Sequence, residues 1–134
     1  MAESAFHRRL VLSIRKWIIE NVDEGEKIII WTDTPENKSS SIPIRIDGFI
    51  PDVYAKIISN FKQIVGEAKT AQDIDSQHTE VQLRAFLRYC NNNYSLFLFA
   101  VPWDLIRYAK TFIDYLKIDL GVESVKTIIL EKLS

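Results

Sequence analysis

The stretch PIRIDGFIPDVYAKIISNFKQIVGEAK, residues 43–69, decides the fold. Apolar and polar residues alternate well over 43–57, the period of a strand with one buried face. The pattern predicts one long strand or two short ones, because Gly48 and Pro51 imply a bend or bulge. Ser59-Asn60 makes a short turn, and residues 61–69 (FKQIVGEAK) give a further strand. Strands joined by so short a turn pair antiparallel.

Upstream, Phe6, Leu10, Ile14, Trp17 and Ile18 recur at helical spacing and predict an amphipathic helix over 4–21, ended by Asp23-Glu24-Gly25. Residues 26–32 (EKIIIWT) read as a strand, and the polar DTPENKSSS that follows, with Pro35, reads as a connecting loop. Downstream, a helix is expected from about Ser76 to Cys90, with Val81, Phe86 and Tyr89 on its apolar side. Ser76 or Asp75 can cap it, and Asn91-Asn92-Asn93 stops it. YSLFLFAVP is a continuous apolar strand of the kind found inside a sheet. Asp104 to Lys117 is a further helix with Leu105, Tyr108, Ala109, Phe112 and Leu116 on one face. Gly121 ends it, and VKTIIL closes the chain as a strand. Helix, three strands, helix, strand, helix, strand is an α/β order. A three-strand meander extended by helical crossovers gives a central mixed sheet flanked by helices on both sides.

The length of 134 residues fits a single domain over 1–134 and allows a real core. The longest apolar runs, Ile28–Trp31 and Leu96–Val101, are far too short to cross a bilayer, so no membrane partner is expected. Charges interrupt the apolar positions at the start of the chain, which does not read as a secretory signal. A cytoplasmic location is expected. Cys90 is the only cysteine, which excludes an internal disulfide and a Cys-rich zinc site. Its place in the apolar pattern favours a buried structural thiol. A net charge of −1 is low for a dedicated nucleic-acid binder. Averages hide local patches, however: His7, Arg8, Arg9, Arg15 and Lys16 cluster in the first helix, and Arg84, Arg88, Arg107 and Lys110 lie on later ones.

The residues with chemical potential lie on the hairpin. Alternate strand residues share a face, so Glu67 and Lys69 project together while Ala68 points away. Pairing brings Asp52 opposite Glu67 at one sheet end. Two carboxylates and the Ala68 backbone carbonyl then form a hard oxygen site suited to Mg²⁺. The competing reading is a solvated Glu67–Lys69 ion pair on an exposed strand, which would contribute little. Thr70 and Ala71 end the strand just past the lysine, where a cleft can form, and Gly66 permits close backbone approach.

IPDVYA, VGEAKT and TEVQLRAFLRYC together resemble the PD-(D/E)xK nuclease superfamily, which includes type II restriction enzymes, archaeal Holliday-junction resolvases and RecB-type nucleases. Pro51-Asp52 matches the family's PD, and Glu67-Ala68-Lys69 its ExK. The resemblance implies a restriction endonuclease-like αβββαβ core, with an extra C-terminal helix and strand. It implies Asp52 and Glu67 as metal ligands and Lys69 as the catalytic lysine, with Mn²⁺ able to replace Mg²⁺ and DNA as substrate. Such a site activates water and neutralises the charge that phosphodiester hydrolysis develops.

Gln82 falls in the first turns of the next helix, sharing a face with His78, Phe86 and Tyr89, where the family often places a glutamine. The RecB-type pattern sets a tyrosine four residues on; this chain has Phe86 there. A half-buried glutamine satisfied by backbone is the alternative. The family's first helix often adds a glutamate. Position 7 aligns with it, but carries His7, which could touch a phosphate or pack as an interfacial residue. Glu3, four residues earlier, could also face the cleft or belong to a frayed terminus. Asp47 reads as a turn residue before Gly48, or as a second acid. Trp31, Trp103 and Tyr94 could stack on bases, but aromatics in or beside apolar segments are more often core. No appended reading domain is visible, so base-specific cutting would fall to loops such as Thr32–Ile42. That favours recognition of DNA structure or targeting by a protein partner. A homodimer follows by analogy, since cutting two strands takes two sites.

Overall fold

A computed structural model describes residues 4–22, 27–33 and 43–132. Helix α1 (Ala5–Asn21) precedes strands β1 (Ile28–Thr32), β2 (Val53–Ile57) and β3 (Gln63–Ala68). Helix α2 (Gln77–Asn93), strand β4 (Leu96–Pro102), a 3₁₀ turn (Trp103–Leu105), helix α3 (Ile106–Leu120) and strand β5 (Thr127–Lys132) follow. Among the described residues the strands form one sheet in the order β1-β2-β3-β4-β5. The β1–β2 and β2–β3 pairs are antiparallel; β3–β4 and β4–β5 are parallel. The expected mixed α/β sheet is present, with α2 and α3 supplying the crossovers that parallel neighbours need.

The two faces of the sheet are built from different residue sizes. Phe97, Phe99 and Val101 of β4 join Phe86, Leu83, Leu87, Ile113 and Leu116 in the core shared with α2 and α3. Leu98 and Ala100, alternating with them, join Val53, Ala55, Ile64 and Ala68 beneath Leu10, Val11, Ile14 and Ile18 of α1. The surface under α1 is therefore low. At Gly66 a Cβ would stand 2.7 Å from Ile14 Cγ2, so only glycine admits the helix at this separation. Burial of β4 on both faces explains why its sequence is an unbroken apolar run.

Of the one long strand or two short ones expected over 43–57, the described structure has a β-strand at Val53–Ile57, preceded by a small turn where the bend was expected. Ile46 and Phe49 bridge around Asp47 and Gly48, both at positive φ (52° and 84°), the backbone that an Asp-Gly pair favours in tight hairpins. Asp47 is thus a turn residue. Pro51 follows and cannot donate to a ladder. Helix α2 does not stop at the asparagines but includes them: Asn93 Nδ2 donates to the Tyr89 carbonyl at 2.9 Å, and Tyr94, at φ 52°, ends the helix. Of its two candidate caps Ser76 serves, accepting the Thr79 N–H at 3.0 Å. Val81 and Tyr108, expected on apolar faces, are 46% and 42% exposed. Helix α3 starts after the 3₁₀ turn rather than at Asp104 and runs past Lys117 to Gly121, whose φ of 69° suits a left-handed cap. Cys90 is buried, and burial pushes its thiol up to about 12, consistent with a structural role. No described helix is long and apolar enough to cross a membrane. The DTPENKSSS loop lies outside the described residues beyond Asp33, and so does the Asp23-Glu24-Gly25 stop.

Candidate active site

The antiparallel register Val53↔Gly66 sets Asp52 level with Glu67, one step beyond the last described backbone pair. Side chains carry the pairing on from there. The Asp52 N–H donates to Glu67 Oε1 at 3.0 Å, and the Ala68 N–H donates to Asp52 Oδ2 at 2.8 Å. Each carboxylate is therefore anchored to the backbone of the other strand, and both are buried, at 9% and 3% exposure. Asp52 is not itself in β2, as the sequence pattern predicts, but immediately before it, where the chain has passed Pro51.

Lys69 completes the group. Its backbone N–H pairs with the Ala100 carbonyl at 3.0 Å, which fixes the end of β3 against β4. Its Nζ lies 3.3 Å from Glu67 Oε2 and donates to Gln82 Oε1 at 2.5 Å. With the lysine side chain only 12% exposed, this is not the solvated surface pair of the competing reading. Gln82 is satisfied by the lysine ammonium rather than by backbone, since its position two turns into α2 aims it at the end of β3. From the opposite face, His7 in the first turn of α1 brings Nε2 to 3.2 Å from Asp52 Oδ2. Against an ionised Asp52 that nitrogen must carry the proton. The sequence leaves His7 between a site residue and an interfacial one; in the fold it is a direct partner of Asp52. Glu3 lies outside the described residues.

Electrostatics follow from burial. The Glu67 carboxyl is held well above the usual carboxylate range, first because it is out of water and second because Asp52 is a like charge beside it. Lys69 and the Asp52 N–H oppose that shift without cancelling it. A second positive charge would relieve the strain. Among the described residues no group of three or more His, Cys, Asp and Glu is arranged to hold a metal ion. Two carboxylates and a carbonyl nonetheless fit Mg²⁺, which takes few protein ligands and keeps several waters. In an extended strand a residue's N–H and C=O point to the same side. Ala68 gives its N–H to Asp52, so by strand geometry its carbonyl lies on the same side of β3.

One support lies outside this group of side chains. Thr79, fully buried, donates its hydroxyl to the Asp73 carbonyl at 2.6 Å and pins the loop that follows Lys69. The Ser76…Thr79 capping spacing is the sequence signal for it. At the other end of β3, the Tyr89 hydroxyl donates to Gln63 Oε1, and burial followed by the Tyr89 neighbour pushes Tyr54 up to about 12. Arg84, one of the basic residues of the later helices, is tied to Glu80 and Asp119 at 3.0 and 2.6 Å. Trp31 is half-buried against Tyr54, as a core aromatic would be, whereas Trp103 and Tyr94 are 56% and 92% exposed. Tyr94 lies at the far end of the sheet, beside a cavity of about 520 Å³ that Trp17, Cys90 and Leu96 help to line and that contains none of the site residues. In comparisons with known proteins, no family model, no curated protein and no solved structure matches this chain.

Proposed function

We propose that this protein is a Mg²⁺-dependent nuclease of the PD-(D/E)xK type that hydrolyses DNA phosphodiester bonds. The observation that carries the reading is the single connected contact network His7–Asp52–Glu67–Lys69–Gln82 at one end of the sheet. The element order α1–β1–β2–β3–α2–β4 supports a restriction endonuclease-like core, with α3 and β5 as the C-terminal extension.

Asp52, Glu67 and the Ala68 carbonyl would hold Mg²⁺, or Mn²⁺ in its place. When bound, the ion supplies Lewis acidity toward the phosphate and a more acidic water. The chain's own residues do the remainder. Lys69, fixed between Glu67 and Gln82, orients the attacking water and stabilises negative charge as it builds on the phosphoryl oxygens. Gln82 positions Lys69 through its carbonyl oxygen, and His7 restrains Asp52. The basic first turns of α1, with Arg8 and Arg9, give the phosphate backbone a nearby counter-charge. Cutting both strands would take a homodimer or a partner protein that brings the domain to its DNA.

Purified protein should cleave at least one member of a panel of duplex, single-stranded and branched DNA with Mg²⁺ or Mn²⁺, and Asp52→Ala or Lys69→Ala should abolish it. Cleavage of none of them in either metal would overturn the reading. A second reading, a non-catalytic nuclease-fold module that binds nucleic acid or protein, is favoured by one contact. Asp52 Oδ2 is already engaged by His7 and the Ala68 N–H. Calorimetric titration with Mn²⁺ separates the two, because a decayed site shows no binding that Asp52→Ala removes.

A further inference from the structure

Trp103 is the first residue after β4 and opens the 3₁₀ turn that leads into α3. Its large side chain is 56% exposed and belongs to neither core cluster, although Val101 and Pro102 just before it are buried. An indole left in water forgoes the burial that usually places tryptophan in a core. The parallel register Ala68↔Ala100 fixes where this occurs. Trp103 follows Ala100 by three positions, so at the strand rise its backbone lies within about 10 Å of the end of β3, where Lys69 stands. Trp103 is thus at the end of the sheet that holds Asp52, Glu67 and Lys69, and not at the far end.

Asp104 beside it is exposed and acidic, and two cations follow. Arg107 and Lys110, four and seven positions on, are exposed at the start of α3. Both lie within the first turns of α3, on the same connection out of β4 that Trp103 opens. An aromatic platform flanked by side chains that track phosphates is the chemistry of single-stranded nucleic-acid binding. In a duplex the base faces are already stacked on one another and unavailable to a side chain.

We infer that Trp103 is a stacking platform for an unpaired base of single-stranded DNA beside the scissile phosphate. The inference rests on the nuclease reading and assigns that site a substrate class: single strands, frayed ends or flaps in preference to continuous duplex.

The test uses the full chain with a fluorescein-labelled oligothymidylate and, separately, the same strand in duplex, binding being read by fluorescence anisotropy in EDTA. Trp103→Ala should weaken single-strand binding roughly 5- to 150-fold, the loss expected for one stacked base, and leave duplex binding unchanged. Trp103→Phe, which keeps an aromatic face, should recover most of it. Cleavage with Mg²⁺ should follow the same order through KM more than kcat. Unchanged single-strand affinity in Trp103→Ala would overturn the inference. Equal loss on both substrates would also overturn it, since a contact to the phosphates does not distinguish them. If Trp103→Ala fails these tests while the wild-type protein still cleaves DNA, the stacking role alone falls. If the wild-type protein neither binds nor cleaves DNA, the nuclease reading falls with it.

Discussion

Replacing Lys69 by methionine should destabilise the metal-free protein, and increasingly so as the pH rises. Lys69 Nζ is 3.3 Å from Glu67 Oε2, with side-chain exposures of 12% and 4%. Removing one partner of a buried pair costs about 3–5 kcal/mol when the other charge stays behind. At about 4 °C per kcal/mol for a chain of this size, that is a fall of roughly 12–20 °C in Tm. Protonation of Glu67 limits the loss. Its folded carboxyl is already raised above the ordinary value of 4.5 by burial and by Asp52. Above 4.5 the unfolded chain releases the proton that the folded chain keeps, so stability falls as pH rises toward the folded value. Loss of Lys69, which opposes the shift, extends that window upward. The deficit of Lys69→Met should therefore be small just above the ordinary value of 4.5 and grow as the pH rises through the raised folded value. Calorimetric melts in EDTA across that range measure it, and Lys69→Met/Glu67→Gln, which removes both charges, should recover most of the loss. A pH-independent deficit under about 1 kcal/mol would refute the reasoning, because it would make Lys69 an ordinary surface cation.

Gln82→Ala should slow metal-dependent DNA cleavage about 10- to 100-fold, the usual cost of losing an outer-shell partner, while changing Tm little beside Lys69→Met; steady-state kinetics and melts check this. His7→Glu should lower the Tm of the metal-free protein by adding a third acid 45 positions away in sequence but in contact with Asp52, and should tighten Mn²⁺ binding in calorimetric titration. Weaker Mn²⁺ binding in that variant would show that position 7 does not face the metal. Gly66→Ala should cost about 1–3 kcal/mol in urea unfolding, because the new methyl overlaps Ile14 Cγ2 at 2.7 Å. In Ile14→Ala that penalty should largely vanish, and additive costs in the double-mutant cycle would contradict the packing of α1 on β3.

What the sequence made legible was whatever one element decides by itself. The stripe Leu10, Ile14 and Ile18 and the run Leu96–Val101 have their periods written in the chain, and both became core. The opposition of Asp52 and Glu67 was legible too, since a short turn leaves an antiparallel pair little choice of register. Boundaries were less so: an Asp-Gly turn at 47–48 interrupts an alternating pattern without disturbing the alternation. Nor did the three asparagines reveal that one of them would extend α2 by bonding back to Tyr89. His7 and Trp103 were the least legible, because their roles depend on how closely separate elements approach. His7 reaches Asp52 only because α1 lies on a floor of Ala55, Gly66, Ala68 and Ala100. Trp103 is exposed in the 3₁₀ turn that precedes α3.

The stability of the fold does not require the polar end of the sheet. The two cores bury ten and more apolar side chains each on either face of the sheet, and their patterning agrees with the local structure throughout. Local preference and global burial conflict at Glu67, whose charge is disfavoured both by the absence of water and by Asp52. Buried ion pairs contribute little net stability, and apolar replacements of similar volume often do as well or better. A hairpin end filled with Leu or Met would serve the fold as well as Asp52, Glu67 and Lys69 do. Two acids, a lysine held by one of them and by a glutamine, and a histidine on the other acid form a costly arrangement that packing alone does not explain. Sites that break local rules inside an otherwise consistent fold are where function is expected. The conflict also has a direction. Lys69 opposes the raised Glu67 carboxyl without cancelling the shift, and a divalent cation bound by both carboxylates would supply the remaining positive charge. On this argument Mn²⁺ should stabilise the wild-type protein more than it stabilises Glu67→Gln, in which the demand for a cation has been removed.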